Sequence, residues 1–239
     1  MNFTEILAQK ALEAGLDLSE KQLEQFNMYY ETLIETNKVM NLTAITEPED
    51  VAVKHMIDSL LAFDKSFAHK TLADVGTGAG FPGIPLKIYC PSLKITLIDS
   101  LGKRLKFLES IIGKLELTDI ACEHARAEDV GRNKKYREQF DLVTARAVAR
   151  LSVLSEYCLP LVKPGGMFIA LKGSKYAEEI SEGEAALKIL GGKLISAEEV
   201  KLPGLDDGRA IIRIKKIKST PLTYPRKAGI PDKAPLGKK

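Results

Sequence analysis

Apolar residues in the first 63 positions recur at helical spacing. Ile6, Leu7, Ala11 and Leu12 share one face. Ser19 with Gln22 forms a capping box ahead of Leu23, Phe26, Tyr30, Leu33 and Ile34, and Asn41–Thr43 ends this region. Thr46 with Glu49 forms a second capping box. It predicts a helix to about Phe63, with Val53, Met56, Ile57, Leu60 and Leu61 on one face. From residue 71 short apolar runs alternate with amphipathic stretches. TLADV (71–75), KITLID (94–99), DIACEHA (119–125), FDLVTA (140–145) and MFIALK (167–172) predict strands. FPGIPLKIYC (81–90) starts a helix with Pro82 in its first turn. GKRLKFLESIIGKL (102–115), RAVARLSVLSEYCLPLV (146–162) and SKYAEEISEGEAALKIL (174–190) predict further helices, and Pro-Gly-Gly at 164–166 predicts a turn. KLISAEEVKL (193–202) and RAIIRIKKI (209–217) predict two closing strands around the loop PGLDDG, and the last 20 or so residues read as an irregular tail.

Strands alternating with helices make an open α/β fold with a mostly parallel sheet. The loop between the last two strands is too short for a parallel crossover, so they form an antiparallel hairpin. Seven strands ending in such a hairpin, preceded by N-terminal helices, is the Rossmann-like class I arrangement of the S-adenosylmethionine-dependent methyltransferases. The expected division is a helical extension at 1–45, a core at 46–217 and a basic, proline-containing tail at 218–239. Ligands are expected outside the carboxyl ends of the first strands.

Composition narrows the class. Hydrophobic residues make up 45% of the 239, enough for a full core. No apolar run reaches the roughly 18 residues of a membrane span, and the N-terminus has no apolar core of a signal peptide. Cys90, Cys122 and Cys158 are scattered, as suits reduced thiols in a cytoplasmic protein, and the three histidines have no metal-site spacing. The net charge of +3 is unevenly spread: Arg213–Lys239 holds nine Lys or Arg and one acid, Asp232. A basic tail on a mildly acidic body suggests a polyanion partner, or only a solvated tail that aids solubility.

The stretch DVGTGAGFPG (74–83) holds two overlapping motifs. From Gly76 it reads G-x-G-x-G (Gly76, Gly78, Gly80), and from Gly78 it reads G-x-G-x-x-G, the dinucleotide fingerprint. The predicted strand ends at Val75, so the first reading starts in register and the second starts two residues late. A pyrophosphate wants free N–H groups at the helix N-terminus, and Pro82 removes one. S-adenosylmethionine carries no phosphate and needs only close backbone approach. Gly83 is then a packing glycine. Asp99, at the end of the second strand, can accept ribose hydroxyls. Ala127 and Glu128, after the third strand, are placed beside the adenine; Glu128 alone could equally be an acid favoured by a helix dipole. Asp74 is a candidate for ordering the loop.

The acceptor is approached by elimination. Exocyclic amines call for a proline- and tyrosine-containing motif after the fourth strand, where this chain reads TARAVARL. A cytosine C5 acceptor needs a cysteine nucleophile, and Cys158 sits inside a helix where packing suits it better. Metal-assisted O-methylation needs carboxylates near the end of the fourth strand, and Asp141 is at its start. A ring nitrogen with a free lone pair remains. Arg146 and Lys172 lie on the catalytic edge, and an arginine there suits guanine O6 or phosphate. Each has the alternative of a cap or a surface salt bridge.

The motifs NLTAI (41–45), KHMIDSL (54–60), DVGTGAGFPGIPL (74–86), LIDSLGKRLKFL (97–108), RAED (126–129), TARAVARL (144–151) and ALKG (170–173) together resemble the RsmG (GidB) family of bacterial 16S rRNA guanine-N7 methyltransferases. The resemblance implies methylation of a guanine N7 in the 530 loop of 16S rRNA, free or in an assembling 30S subunit, with S-adenosylmethionine as donor. It puts cofactor contacts on Gly76, Phe81, Ala127, Glu128 and Arg146, with Asp99, Ser100 and Leu101 at the ribose. It puts RNA contacts on Lys103, Arg104, Lys172 and Arg209. His55 and Asp58 lie three apart on one helix face, as a surface pair, a packing cap or part of the substrate mouth. A cytoplasmic monomer without metal is expected. Two other readings stay open: an RNA-binding module on this fold without catalysis, motivated by the basic tail, and an NAD-linked oxidoreductase, which lacks a Tyr-Lys or His constellation.

Overall fold

The computed structural model describes residues 1–237; the last two lysines of the expected tail, Lys238 and Lys239, lie outside the described residues. Strands β1 (Thr71–Val75), β2 (Lys94–Asp99), β3 (Ile120–His124), β4 (Phe140–Arg146), β5 (Val162–Lys172), β6 (Gly192–Val200) and β7 (Arg209–Lys216) form one sheet in the order β3-β2-β1-β4-β5-β7-β6. β1 to β5 are mutually parallel, and β7 runs antiparallel to both β5 and β6. The seven-stranded sheet with an antiparallel end hairpin is therefore as the sequence predicts.

Side chains alternate across the sheet and build two cores. Leu72, Leu97, Leu142, Ile169 and Ile211 face one cluster. Their neighbours Ala73, Ile98, Val143, Ala170 and Ile212 face the other. The first cluster is covered by α1 (Phe3–Glu13), α2 (Glu20–Met40), a helix running from Pro48 to Leu60, α5 (Gly83–Tyr89) and α6 (Gly102–Lys114). The second is covered by α7 (Ala127–Arg132), α8 (Leu151–Cys158) and α9 (Tyr176–Leu190). Cys158 is fully buried there, as packing requires, and burial pushes its thiol well up from the ordinary value.

Several local expectations change. Ser19 and Gln22 form their capping box, and so do Asn2 and Glu5. Thr46 and Glu49 do not. The helix starts at Pro48 with Glu47 as its N-cap, because a proline at the first helical position needs no N–H partner. That helix is α3 (Pro48–Val51), a π-helical segment Ala52–Ile57 and α4 (Asp58–Leu60). Pro82 is the N-cap of α5 and not part of its first turn. The Pro-Gly-Gly turn is absorbed into β5 as an irregularity: Phe140 pairs with Val162, and Leu142 with Met167. Gly166 permits this, since a Cβ there would lie 2.6 Å from the Asp141 carbonyl oxygen.

The two ends of the chain are docked. Phe3, Leu7, Phe26, Tyr29 and Leu33 belong to the first core, so α1 and α2 are built into it. At the other end Arg226 chelates the fully buried Glu156, with Nη2–Oε2 at 2.6 Å and Nε–Oε1 at 2.9 Å. Arg137 donates to the carbonyls of Thr220, Pro221 and Tyr224. Lys216 is buried beside Glu138, and Arg213 pairs with Glu198. The tail is thus packed rather than solvated, and its Arg226 is consumed on a buried carboxylate. The short helix α10 (Ile230–Lys233) is its only regular element among the described residues.

Candidate functional site

Strand β1 delivers the glycine loop, and the loop's amides turn inward. Gly76 and Thr77 donate to the Ile98 carbonyl at 2.9 and 3.1 Å, and Gly80 and Phe81 to the Thr77 carbonyl at 2.9 and 3.0 Å. Gly78 donates to Asp99 Oδ2 and Gly83 to Asp74 Oδ2, both at 3.0 Å. Pro82 has no N–H. These donors are already partnered and do not form a cradle for a pyrophosphate. Asp74, fully buried, also accepts from the Thr77 hydroxyl at 2.6 Å and the Thr144 hydroxyl at 3.3 Å. Burial raises its carboxyl to about 6 against the opposing pull of these bonds. Asp74 orders the loop. A Cβ on Gly83 would lie 2.4 Å from Leu97 Cδ2, so Gly83 serves close packing.

A cavity of about 490 Å³ opens at the carboxyl ends of β1, β2 and β3. Gly76, Asp99, Ser100, Ala127 and Glu128 line it, together with Tyr157, Gly229 and Asp232. Asp99 is held by the amides of Gly78 and Leu101 and by Arg104 at 3.3 Å. Asp99, Glu128 and Asp232 line the cavity together with Arg104 and Arg126, and the glycine loop adds no phosphate cradle, which fits a nucleoside such as S-adenosylmethionine and not a dinucleotide.

Five predicted cofactor residues do not line this cavity. Gly78 and Leu101 lend it only the amides that hold Asp99. Gly80 faces the other way, with a Cβ position 2.6 Å from Ile84 Cδ1 and 2.8 Å from the Tyr29 hydroxyl. Phe81 is not a wall: it is buried against Tyr29, with ring centroids 5.3 Å apart, and against His55 at 4.5 Å. Arg146 projects to the opposite side of the loop, over the Phe81 ring at 4.9 Å. Conversely Arg104, expected at the RNA, lines the first cavity. Lys103 reaches the Met40 carbonyl at 3.5 Å, away from both cavities.

The second cavity, of about 620 Å³, collects Arg146, Lys172 and Arg209 with Lys54, His55 and Asp58. Asp58 is buried and bridges two arginines: Oδ2 to Arg146 Nη1 at 2.7 Å, and Oδ1 to Arg209 Nη1 at 3.2 Å. Arg146 Nη2 lies 3.3 Å from His55 Nδ1, and the Thr43 hydroxyl 2.8 Å from His55 Nε2. Burial, then the Arg146 charge, lowers His55 to about 3, so it is a neutral ring beside Arg146. The His55–Asp58 pair is therefore neither a surface pair nor a cap. The π-helical segment, which periodicity did not reveal, carries His55 into this cluster.

Ala147, Val148 and Ala149 line both cavities and form the partition between them. Ala147 sits at φ 54°, a region costly for a residue with a Cβ. Val148 lies over Gly76, where a Cβ would come within 2.6 Å of Val148 Cγ2. Lys172 holds the partition from behind. Its Nζ donates to the Ala149 carbonyl at 2.5 Å and pairs with Glu179 at 2.6 Å, while Glu179 accepts from the Leu151 amide. Tyr157, Gly229, Asp232 and Glu179 escaped the sequence reading; only Asp232 left a trace there, as the single acid of a basic segment.

Comparison with known proteins bears on this geometry. Residues 22–206 match the GidB family, described as rRNA small subunit methyltransferase G. The chain is 58% identical over 226 residues to the ribosomal RNA small subunit methyltransferase G of Lactobacillus acidophilus, covering 93% of this chain and 94% of that one. It is 51% identical over 237 residues to the protein of that name from Desulforamulus reducens, covering 98% and 99%. Among solved structures it is similar to M. jannaschii TYW2 in complex with AdoMet (18% identity, TM-score 0.53, 67% of this chain and 74% of that one). It is also similar to the 16S rRNA (adenine(1408)-N(1))-methyltransferase from Catenulisporales acidiphilia (15% identity, TM-score 0.52, 68% and 93%). The structural likenesses establish the fold alone.

Proposed function

Since this chain belongs to the rRNA small subunit methyltransferase G (GidB) family, we propose that it methylates N7 of a guanine in the 530 loop of 16S rRNA with S-adenosylmethionine as donor. The observation that carries the reading is the pair of adjoining cavities, one lined by Asp99, Ala127 and Glu128 and the other by Arg146 and Arg209, separated only by Ala147–Ala149. When bound, the cofactor supplies a methyl group made electrophilic by the positive charge on its sulfur.

Residues of the first cavity bind and orient it. Asp99 offers carboxylate oxygens to the ribose hydroxyls, Ala127 and Glu128 face the adenine, and Gly76 lets the backbone approach closely. Residues of the second cavity bind the base. Arg146 and Arg209 present guanidinium N–H donors suited to guanine O6 or to phosphate. Asp58 between them fixes the direction of both forks, and neutral His55 steadies Arg146 without adding charge. N7 carries its own lone pair, so no side chain needs to remove a proton before attack; positioning is the chain's contribution. Arg146 acts on the acceptor side in this reading, and Lys172 acts by holding the partition.

The competing readings lose their support. The dinucleotide reading needs free loop amides, and these are partnered inside the protein. The non-catalytic RNA module rested on a solvated basic tail, whereas this tail is docked and its Arg226 is spent on buried Glu156.

Mapping tests the proposal. After borohydride and aniline treatment, 16S rRNA from cells with the intact gene should show primer-extension stops at one 530-loop guanine. The stop should vanish in a deletion strain and return with the purified protein and S-adenosylmethionine. A methyl group already present in the deletion strain would sink it.

A further inference from the structure

The cavity lined by Asp99 and Glu128 is not closed by the sheet and its helices alone. Gly229 and Asp232 line it, and both lie beyond residue 206, where the family match ends. The segment that carries them is held in place by built contacts. Arg226 chelates buried Glu156, the Arg137 guanidinium collects three backbone carbonyls, and Arg132 Nε donates to the Pro225 carbonyl at 2.7 Å. Pro225 packs so closely on α7 that a Cβ at Gly131 would lie 2.9 Å from its Cγ.

At the cavity this segment presents two groups. The Gly229 amide donates to Glu128 Oε1 at 2.9 Å and so fixes the carboxylate that opens α7. Asp232 adds a carboxylate of its own. Gly229 is the N-cap of α10, so its bond to Glu128 also brings the first turn of that helix, with Asp232, to the Glu128 side of the cavity. Arg126 and Tyr157 line the cavity too, yet among the described residues Asp232 forms no salt bridge and no side-chain hydrogen bond. Asp99, Ser100 and Arg104 reach the cavity from the carboxyl end of β2 and the start of α6. An exposed-side carboxylate with open acceptor sites, facing a nucleoside cavity beside the adenine-side residues, matches an amino donor.

We propose that the docked C-terminal segment is the adenine-side wall of the cofactor site, with Asp232 accepting from the adenine amino group and Gly229 clamping Glu128. The inference rests on the cofactor reading above. Calorimetry on the full chain tests it with two probes, S-adenosylhomocysteine and its inosine counterpart, which carries an oxygen in place of the amino group. Asp232→Ala should weaken S-adenosylhomocysteine about five- to tenfold. It should change binding of the inosine analogue less than about twofold, and leave the melting temperature of the free protein unchanged because Asp232 is exposed. Unchanged affinity in the variant, or equal losses for both probes, overturns the proposal while the cofactor reading stands. Failure of the unaltered protein to bind S-adenosylhomocysteine overturns both.

Discussion

At the scale of single residues, the acceptor side is governed by one buried carboxylate and one neutral imidazole. Asp58 spans Arg146 and Arg209, and the His55 ring lies against the Nη2 of Arg146 that Asp58 leaves open. His55 is largely buried, and a charged ring would meet that guanidinium at 3.3 Å, which is why its pKa falls from 6.5 to about 3. The sign of the pH dependence follows. Between about pH 6.5 and 3 the unfolded chain binds a proton at His55 that the folded chain refuses, so stability is lost as pH falls through that window. Asp74, raised from 3.8 to about 6, works in the opposite sense over its own range. His55→Gln isolates the first effect. Urea unfolding at pH 7 and pH 5 should show the unaltered protein losing about 2 kcal/mol more than the variant over that interval. Equal losses would mean that His55 titrates normally in the fold.

Elements that look separable along the chain are joined in space. Helix α2 places the Tyr29 hydroxyl on the Ala79 carbonyl at 2.5 Å, inside the glycine loop. Gln22 reaches the carbonyls of Ile88 and Tyr89, and Gln25 that of Leu115. Phe3, Leu7, Phe26, Tyr29 and Leu33 are buried against the core. At about 2 kcal/mol for each large side chain, removing them withdraws on the order of 10 kcal/mol, comparable with the whole stability of a domain. A fragment starting at residue 46 should therefore lack a cooperative melting transition and show no sharp near-ultraviolet dichroism. A fragment that melts cooperatively would make residues 1–45 a true appendage.

Across the whole molecule, chemistry between the two cavities depends on the strip that separates them. Ala147–Ala149 is anchored at both faces, by Val148 over Gly76 and by Lys172 on the Ala149 carbonyl. In the proposed reaction methyl donor and acceptor meet at this strip, so its placement would control the distance between reacting atoms, and small misplacements are costly. Lys172→Gln removes the anchor and the ion pair with Glu179. It should lower the methylation rate at saturating cofactor at least about tenfold, yet change the dissociation constant for S-adenosylhomocysteine less than about threefold. A parallel loss of cofactor binding would instead make Lys172 a general support of the fold.

Periodicity and motif register were enough for the strand order of chemistry along the chain. Alternating apolar runs specify strands whatever they pack against, and a glycine loop that begins where β1 ends has one place in such a sheet. The family motifs likewise lie in short contiguous stretches, each complete in itself. Which side of the loop a residue serves is a different kind of fact. Arg146 ends β4, yet Asp58 and His55, some 90 positions earlier, draw it away from the first cavity. Phe81 leaves that cavity because Tyr29 and His55 close around it. The basic tail docks because Glu156 and Arg137, on distant segments, take up its Arg226 and its backbone carbonyls. Each of these outcomes depends on pairing between charges or rings far apart in the chain, and such pairing leaves no local pattern until the chain has folded.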